Sequence, residues 1–237
     1  MPKRLISLLY PRRCPVCRRI VVPRGALICA PCREKLHYIT EPACMRCGRQ
    51  LEQQEQEYCS ECVRKKHHYH RGYAIWQYDD AMRQSLGDFK YHARKEFADF
   101  YVAEAVRLYA ARIRLEAPEV LIPIPIYRMR YWERGFNQAE LLARGIGRQL
   151  GIPVDAEYLR RIKKTEALKN LNAREREAAL AGAFAVPKEQ RRKSYRSVML
   201  VDDIYTTGST IDKSTQVLLE SGVEKVTFLC MAIGTNS

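Results

Sequence analysis

The stretch from Val198 to Thr210 reads V-M-L-V-D-D-I-Y-T-T-G-S-T. Its four apolar residues, Val198 to Val201, predict a buried strand that ends abruptly in two adjacent carboxylates, Asp202 and Asp203. In an open α/β sheet, acids at the carboxyl end of a parallel strand face the crevice where ligands bind. Thr206, Thr207, Gly208, Ser209 and Thr210 then set small hydroxyl side chains around one glycine. An apolar period at Ile211, Thr215, Leu218 and Leu219 marks the helix that follows. Such a turn aims backbone N–H groups and hydroxyls at one phosphate, which the positive end of the helix also favours. The paired acids would take sugar hydroxyls or a magnesium ion, because a hard cation that keeps most of its water needs only one or two carboxylates plus substrate phosphates.

These residues resemble the signature of the type I phosphoribosyltransferases, enzymes that use 5-phosphoribosyl-1-pyrophosphate (PRPP). The resemblance implies that Asp202 and Asp203 meet the ribose hydroxyls as the catalytic pair, and that Thr206, Thr207, Gly208, Ser209 and Thr210 cradle the 5-phosphate.

Nearer the amino terminus, eight of the nine cysteines form four C-x-x-C pairs: Cys14/Cys17, Cys29/Cys32, Cys44/Cys47 and Cys59/Cys62. Two thiolates three residues apart turn onto one metal ion, and two such pairs complete a tetrahedral zinc site. Two structural zinc ions follow, since every position would be filled by protein. The spacing leaves open whether the pairs combine sequentially or cross-braced. Residues 1 to 66 hold too little apolar sequence for a core of their own, so their folding should depend on metal, which contributes on the order of 10 kcal/mol in zinc-finger peptides. The expected organisation is a double zinc-ribbon module over residues 1–70 and an α/β domain over 71–237, with a central, mainly parallel sheet flanked by helices.

Within that domain, Tyr73 to Tyr78 predicts a strand, and Asp79-Asp80 a helix start before Met82, Leu86 and Phe89. Phe97, Tyr101, Ala105, Leu108 and Ile113 mark a longer helix that ends before Pro118. Leu121 to Ile126, L-I-P-I-P-I, reads as a buried strand entering a proline-stiffened turn. Arg128, Arg130 and Arg134 follow, then Gly135-Phe136-Asn137-Gln138 and a helix with Leu141, Leu142, Ile146 and Leu150. Backbone amides with arginines close behind suit a pyrophosphate, whose charge is met best by planar guanidinium forks.

Together, the P-x-P strand end, R-G-F-N-Q, D-D-I-Y-T-T-G-S-T and the cysteine module resemble the ComF, or ComFC-type, competence proteins over nearly the whole chain. That resemblance implies a PRPP-binding domain used in DNA uptake during natural transformation, with magnesium alongside PRPP. Single-stranded DNA and a helicase-like motor protein are the implied partners. Carried over by position, Pro123, Ile124 and Pro125 form the pyrophosphate loop, Arg134 to Gln138 the most distinctive segment, and Lys163 to Ala181 a loop that closes over PRPP. Leu168 stands in that loop where glutamine is expected, and Ala178 or Ala179 where asparagine is usual. A nucleobase-salvage phosphoribosyltransferase and a PRPP-sensing adaptor without turnover are the alternatives.

The formal net charge of +14 points to polyanionic partners without separating DNA from RNA, a membrane surface or a phosphorylated substrate. Leu5 to Leu9 is too short for a signal core or a membrane span, and a cytoplasmic chain is expected. His67, His68 and His70 read as a solvated linker, with a metal role as the alternative, and the basic corner of Lys90, His92 and Arg94 as a solvated helix end, with a pyrophosphate contact as the alternative. Phe184 to Val186 reads as an edge strand and Val226 to Met231 as the last strand, with Cys230 a small buried apolar residue. Lys188 to Arg196 joins Arg160, Arg161, Lys163 and Lys164 in a basic track whose one aromatic is Tyr195. The zinc module is the only material available to form a hood over the acceptor side.

Overall fold

The structure is a computed structural model that describes residues 11–92, 94–163 and 182–235. In chain order its helices are α1 (Ala30–Arg33), α2 (Ser60–Arg64), α3 (Asp80–Tyr91), α4 (Ala98–Glu116), α5 (Arg128–Arg134), α6 (Gln138–Leu150) and α7 (Ser209–Glu220). The strands are β1 (Arg71–Gln77), β2 (Val120–Pro123), β3 (Arg160–Arg161), β4 (Phe184–Ala185), β5 (Ser197–Tyr205) and β6 (Lys225–Ile233).

Four strands form one sheet in the order β1-β6-β5-β2, every neighbouring pair parallel. Both faces are covered, which explains the unbroken apolar runs Val198–Val201 in β5 and Phe228–Ile233 in β6. Met199 and Val201 pack into one hydrophobic cluster with Phe89, Phe100, Leu142 and Ile146 from α3, α4 and α6. Val198 and Leu200 point the other way and pack with Ile211 and Leu218 of α7. The helix starts follow local chemistry: the Asp79 side chain accepts from the Met82 N–H at 2.9 Å, and Asn137 accepts from the Ala139 N–H at 3.2 Å.

Cys14, Cys17, Cys29 and Cys32 bring their Sγ atoms within 4.8 Å of one another, and so do Cys44, Cys47, Cys59 and Cys62. The pairing is therefore sequential. The Cys47 and Cys59 sulfurs lie 3.7 Å apart, close to the edge of about 3.8 Å that a tetrahedron of thiolates at about 2.3 Å from zinc requires. The donor sets fit two structural zinc ions.

The two ribbons straddle the sheet. Val21, Ile28 and Leu36 of the first join the cluster beneath α3 and α4, and Arg18 grips Asp88 with two bonds of 2.6 and 2.8 Å. Leu51 and the second set of cysteines join the opposite cluster with Tyr205 and Phe228. Between them, the segment around Tyr38 pairs antiparallel with β1, through Ile39 N–H to the Ile75 carbonyl and Gln77 N–H to the His37 carbonyl, both at 2.8 Å. That closes one open sheet edge; Val154, bridged to Leu121, covers the other.

Three expectations change. The histidine linker is packed in part: His67 is buried against the Tyr69 ring at 4.9 Å and the His68 backbone N–H donates to Asp212 at 2.7 Å, while His70 is exposed as expected. Burial pushes the Asp212 carboxyl up, but the His67 ring and the His68 backbone and ring outweigh that and hold it at about 2. Phe184 does not edge the main sheet, because β4 pairs antiparallel with β3 in a separate two-stranded ribbon. Tyr195 lies against the Tyr158 ring at 5.0 Å and donates to Asp155 at 3.2 Å, while Lys193 pairs with the same carboxylate. Acids thus interrupt the basic track, and its aromatic is turned inward. Cys230 is fully buried as expected. Leu5 to Leu9, and the loop from residue 164 to Ala181, lie outside the described residues. No helix among the described residues is long and apolar enough to cross a membrane.

Candidate phosphate and ribose site

The carboxyl ends of β5 and β2 and the amino-terminal ends of α6 and α7 open on a cleft of about 480 Å³. Ile124, Arg134, Asp202, Asp203, Thr206, Thr207, Gly208, Ser209 and Thr210 line it together, as does Pro125. Pro123 is not among the lining residues; it ends β2, buried, in register with Val201.

The turn from Thr206 to Thr210 is shaped by Gly208, whose φ of +73° is left-handed. A Cβ at that position would lie 2.2 Å from the Tyr205 hydroxyl, so glycine is required both for the backbone and for space. The Thr207 and Ser209 hydroxyls sit 3.0 Å apart at the start of α7. Behind the turn, the Tyr205 hydroxyl meets that of Tyr69 at 2.7 Å, and the Tyr205 ring stacks on Phe228 with centroids 5.1 Å apart. Buried Arg49, from the second zinc ribbon, donates to the Thr206 carbonyl at 3.2 Å and to Glu61 at 3.0 Å. Among the described residues no ribbon side chain lines the cleft; the module supports the loop from behind instead of forming a hood.

The two acids differ. Asp203 is buried and paired with Lys90 Nζ at 3.0 Å. Burial, and then the neighbouring Asp203 charge, push the Asp202 carboxyl up to about 8. Asp202 therefore holds a proton more readily than an ordinary carboxyl. Opposite the acids, Arg134 donates to Gln138 Oε1 at 3.0 Å and its guanidinium lies 5.0 Å over the Tyr91 ring. The Arg161 guanidinium is pulled down to about 10 by burial and then by the positive charge of Arg130. Five cationic side chains, Arg83, Lys90, Arg130, Arg134 and Arg161, line the cleft against two acidic ones, which makes it receptive to a polyanion.

Arg83 and Arg161 are cleft cations that the sequence reading left outside the site, and Lys90 one that it read as a solvated helix end. Lys90 follows Phe89 and borders the buried face of α3, a position that marks a lysine reaching round an apolar face. In β3, Arg160 pairs outward with Glu157 and Glu189 while Arg161 turns to the cleft, as the alternation of a strand demands of an R-R doublet.

The double zinc ribbon domain family matches residues 5–63. Competence protein F of Haemophilus influenzae is 32% identical over 219 residues, covering 90% of this chain and 93% of that protein. DNA utilization protein YhgH of Escherichia coli K12 is 28% identical, covering 94% and 98% of the two chains. Competence protein ComFC of Bacillus subtilis is 29% identical, covering 82% and 79%. Among solved structures, a purine phosphoribosyltransferase from Pyrococcus horikoshii aligns with a TM-score of 0.35 and 17% identity, over 58% of this chain and 84% of that one. With paired zinc ribbons, a parallel sheet ending in an acid pair and a hydroxyl-lined loop, and identity across nearly the full length of competence protein F, this chain belongs to the ComF/ComFC family of competence proteins.

Proposed function

We propose that the cleft binds PRPP with Mg²⁺ and that the chain uses this site in competence or DNA utilization, acting on single-stranded DNA beside a helicase-like motor. The observation that carries the reading is the meeting, in one cleft, of the acid pair Asp202 and Asp203, the Thr206–Thr210 turn and a bank of guanidinium groups. Each part matches one part of the ligand. The turn and the start of α7 take the 5-phosphate. Asp202 and Asp203 take the ribose hydroxyls. Arg130, Arg134 and Lys90 face the pyrophosphate. Because Lys90 already neutralises Asp203, the acids suit sugar hydroxyls better than direct metal ligation, and magnesium would travel with the pyrophosphate oxygens.

The same arrangement supports displacement of pyrophosphate. An acceptor lone pair forms the new bond to the anomeric carbon, the carbon–oxygen bond breaks, and its electrons leave with pyrophosphate, whose charge the arginines offset. The names of the relatives, competence protein and DNA utilization protein, support the DNA-handling part of the reading.

Calorimetric titration of the zinc-loaded chain with Mg²⁺-PRPP, beside Asp203→Asn, tests the site. The native chain should bind and the variant should not; equal affinity would remove the acids from the site. Release of pyrophosphate that depends on an added nucleobase would replace the DNA-handling reading with base salvage.

A further inference from the structure

Helix α5 has a second face that the cleft does not use. Arg130 and Arg134, four residues apart, line the cleft. Arg128, Tyr131 and Trp132 are related by spacings of three and four and share the outward side. Tyr131 is 49% exposed, Trp132 75% and Met129 48%. A single exposed ring needs no explanation, but two consecutive rings on one turn, flanked by arginines at the mouth of a cationic cleft, form a surface. Among the described residues neither ring stacks on another aromatic. The exposed Tyr91 ring, under the Arg134 guanidinium, extends the surface to the cleft rim.

We propose that α5 is a stacking platform for single-stranded nucleic acid, which it presents to the cleft. This rests on the reading above that the chain handles single-stranded DNA. An unpaired base offers a flat apolar face to Tyr131 or Trp132, and every base has one, so the contact tolerates any sequence. Arg128 neighbours both rings and is placed to meet a backbone phosphate. Arg130 and Arg134 continue the line of positive charge inward. A duplex hides its base faces and would gain only the phosphate contacts. Three arginines against the lone Glu133 give the short helix the charge complementary to such a strand.

The chain carries its own reporter. It has two tryptophans, and Trp76 is fully buried beside Phe100 and Tyr101, so a change of solvent-facing emission belongs to Trp132. The full, zinc-loaded chain is titrated with an oligothymidylate and with a duplex of equal length, and Mg²⁺-PRPP binding is measured in parallel. The single strand should quench Trp132 and the duplex should not. Trp132→Ala should weaken single-strand binding by about tenfold or more, Trp132→Phe should restore most of it, and PRPP affinity should stay unchanged. Arg128→Met should reduce the salt dependence of binding, which Trp132→Ala should leave alone. Native binding that neither quenches Trp132 nor responds to Trp132→Ala would overturn the platform while sparing the reading it rests on. Absence of any binding by the native chain would overturn both. Quenching by anionic vesicles, or by raised protein concentration without DNA, would make the surface a membrane or self-association face and overturn the proposal.

Discussion

Gly208→Ala would show how firmly the Thr206–Thr210 turn is held from behind. The residue sits at φ +73°, where an L side chain costs about 1–2 kcal/mol. Its new Cβ would stand 2.2 Å from the Tyr205 hydroxyl and 2.6 Å from Cζ, against 3.4 Å or more for ordinary contact. Tyr205 has little freedom to retreat, because its ring is stacked on Phe228 at an interplanar angle of 3° and its hydroxyl is bonded to Tyr69. Moving that hydroxyl by the required distance breaks the bond and leaves a buried oxygen unpaired, a loss of about 1–3 kcal/mol. The total is about 3 kcal/mol, or roughly 6–12 °C in Tm for a chain of this size. Thermal unfolding of zinc-loaded Gly208→Ala, Tyr205→Phe and the double variant measures it. Tyr205→Phe deletes the nearest atom of the clash, so the cost of Gly208→Ala should fall by about 1 kcal/mol in that background. An unchanged cost, or a Gly208→Ala variant within about 0.5 kcal/mol of the native chain, would refute the buttress.

Asp202 binds its proton more tightly in the folded chain, at about 8 against an ordinary 3.8, so the stability it contributes is full below about pH 4 and is lost as pH rises through 8. Across that window the native Tm should fall relative to Asp202→Asn, and parallel slopes in scanning calorimetry would contradict the raised pKa. Lys90→Met leaves Asp203 buried without its cation and should cost about 2 kcal/mol in urea unfolding while weakening PRPP binding; unaltered stability would mean that the ion pair contributes nothing. Zinc analysis by mass spectrometry checks the pairing. Cys14→Ser with Cys29→Ser should remove one ion per chain, and Cys14→Ser with Cys44→Ser should remove both; the reverse pattern would mean cross-bracing.

What the sequence disclosed was carried by short contiguous runs. Val198 to Thr210 contains strand, acids and turn within one segment, and each C-x-x-C pair announces a knuckle by itself. The rest depends on contacts between distant segments. Lys90 joins Asp203 only because the order β1-β6-β5-β2 brings the end of α3 beside the end of β5. His67 and His68 looked like solvated linker until α7 supplied the Asp212 carboxylate. The segment from Arg128 to Arg134 showed its charges, while Tyr131 and Trp132 passed unremarked, since about two turns of helix are too few for a periodic pattern to emerge. Which ribbon takes which face of the sheet was hidden for a related reason: each ribbon has a few apolar residues and borrows the rest of its cluster from the sheet and helices.

That borrowing sets a timetable for synthesis. The ribbons pack against Phe228 and Leu229 of β6, the last strand to be made. At roughly 5–20 residues per second, about 10–35 s separate the emergence of Cys62 from that of Ile233. Through this interval the ribbons have no finished core to lean on, and only metal can hold them. Sequential pairing makes that possible: the first site is complete once Cys32 is available and the second once Cys62 is, before any of the parallel sheet exists. A cross-braced arrangement would have left the first pair of thiols waiting for the third. Each zinc site can therefore load while the rest of the chain is still being made.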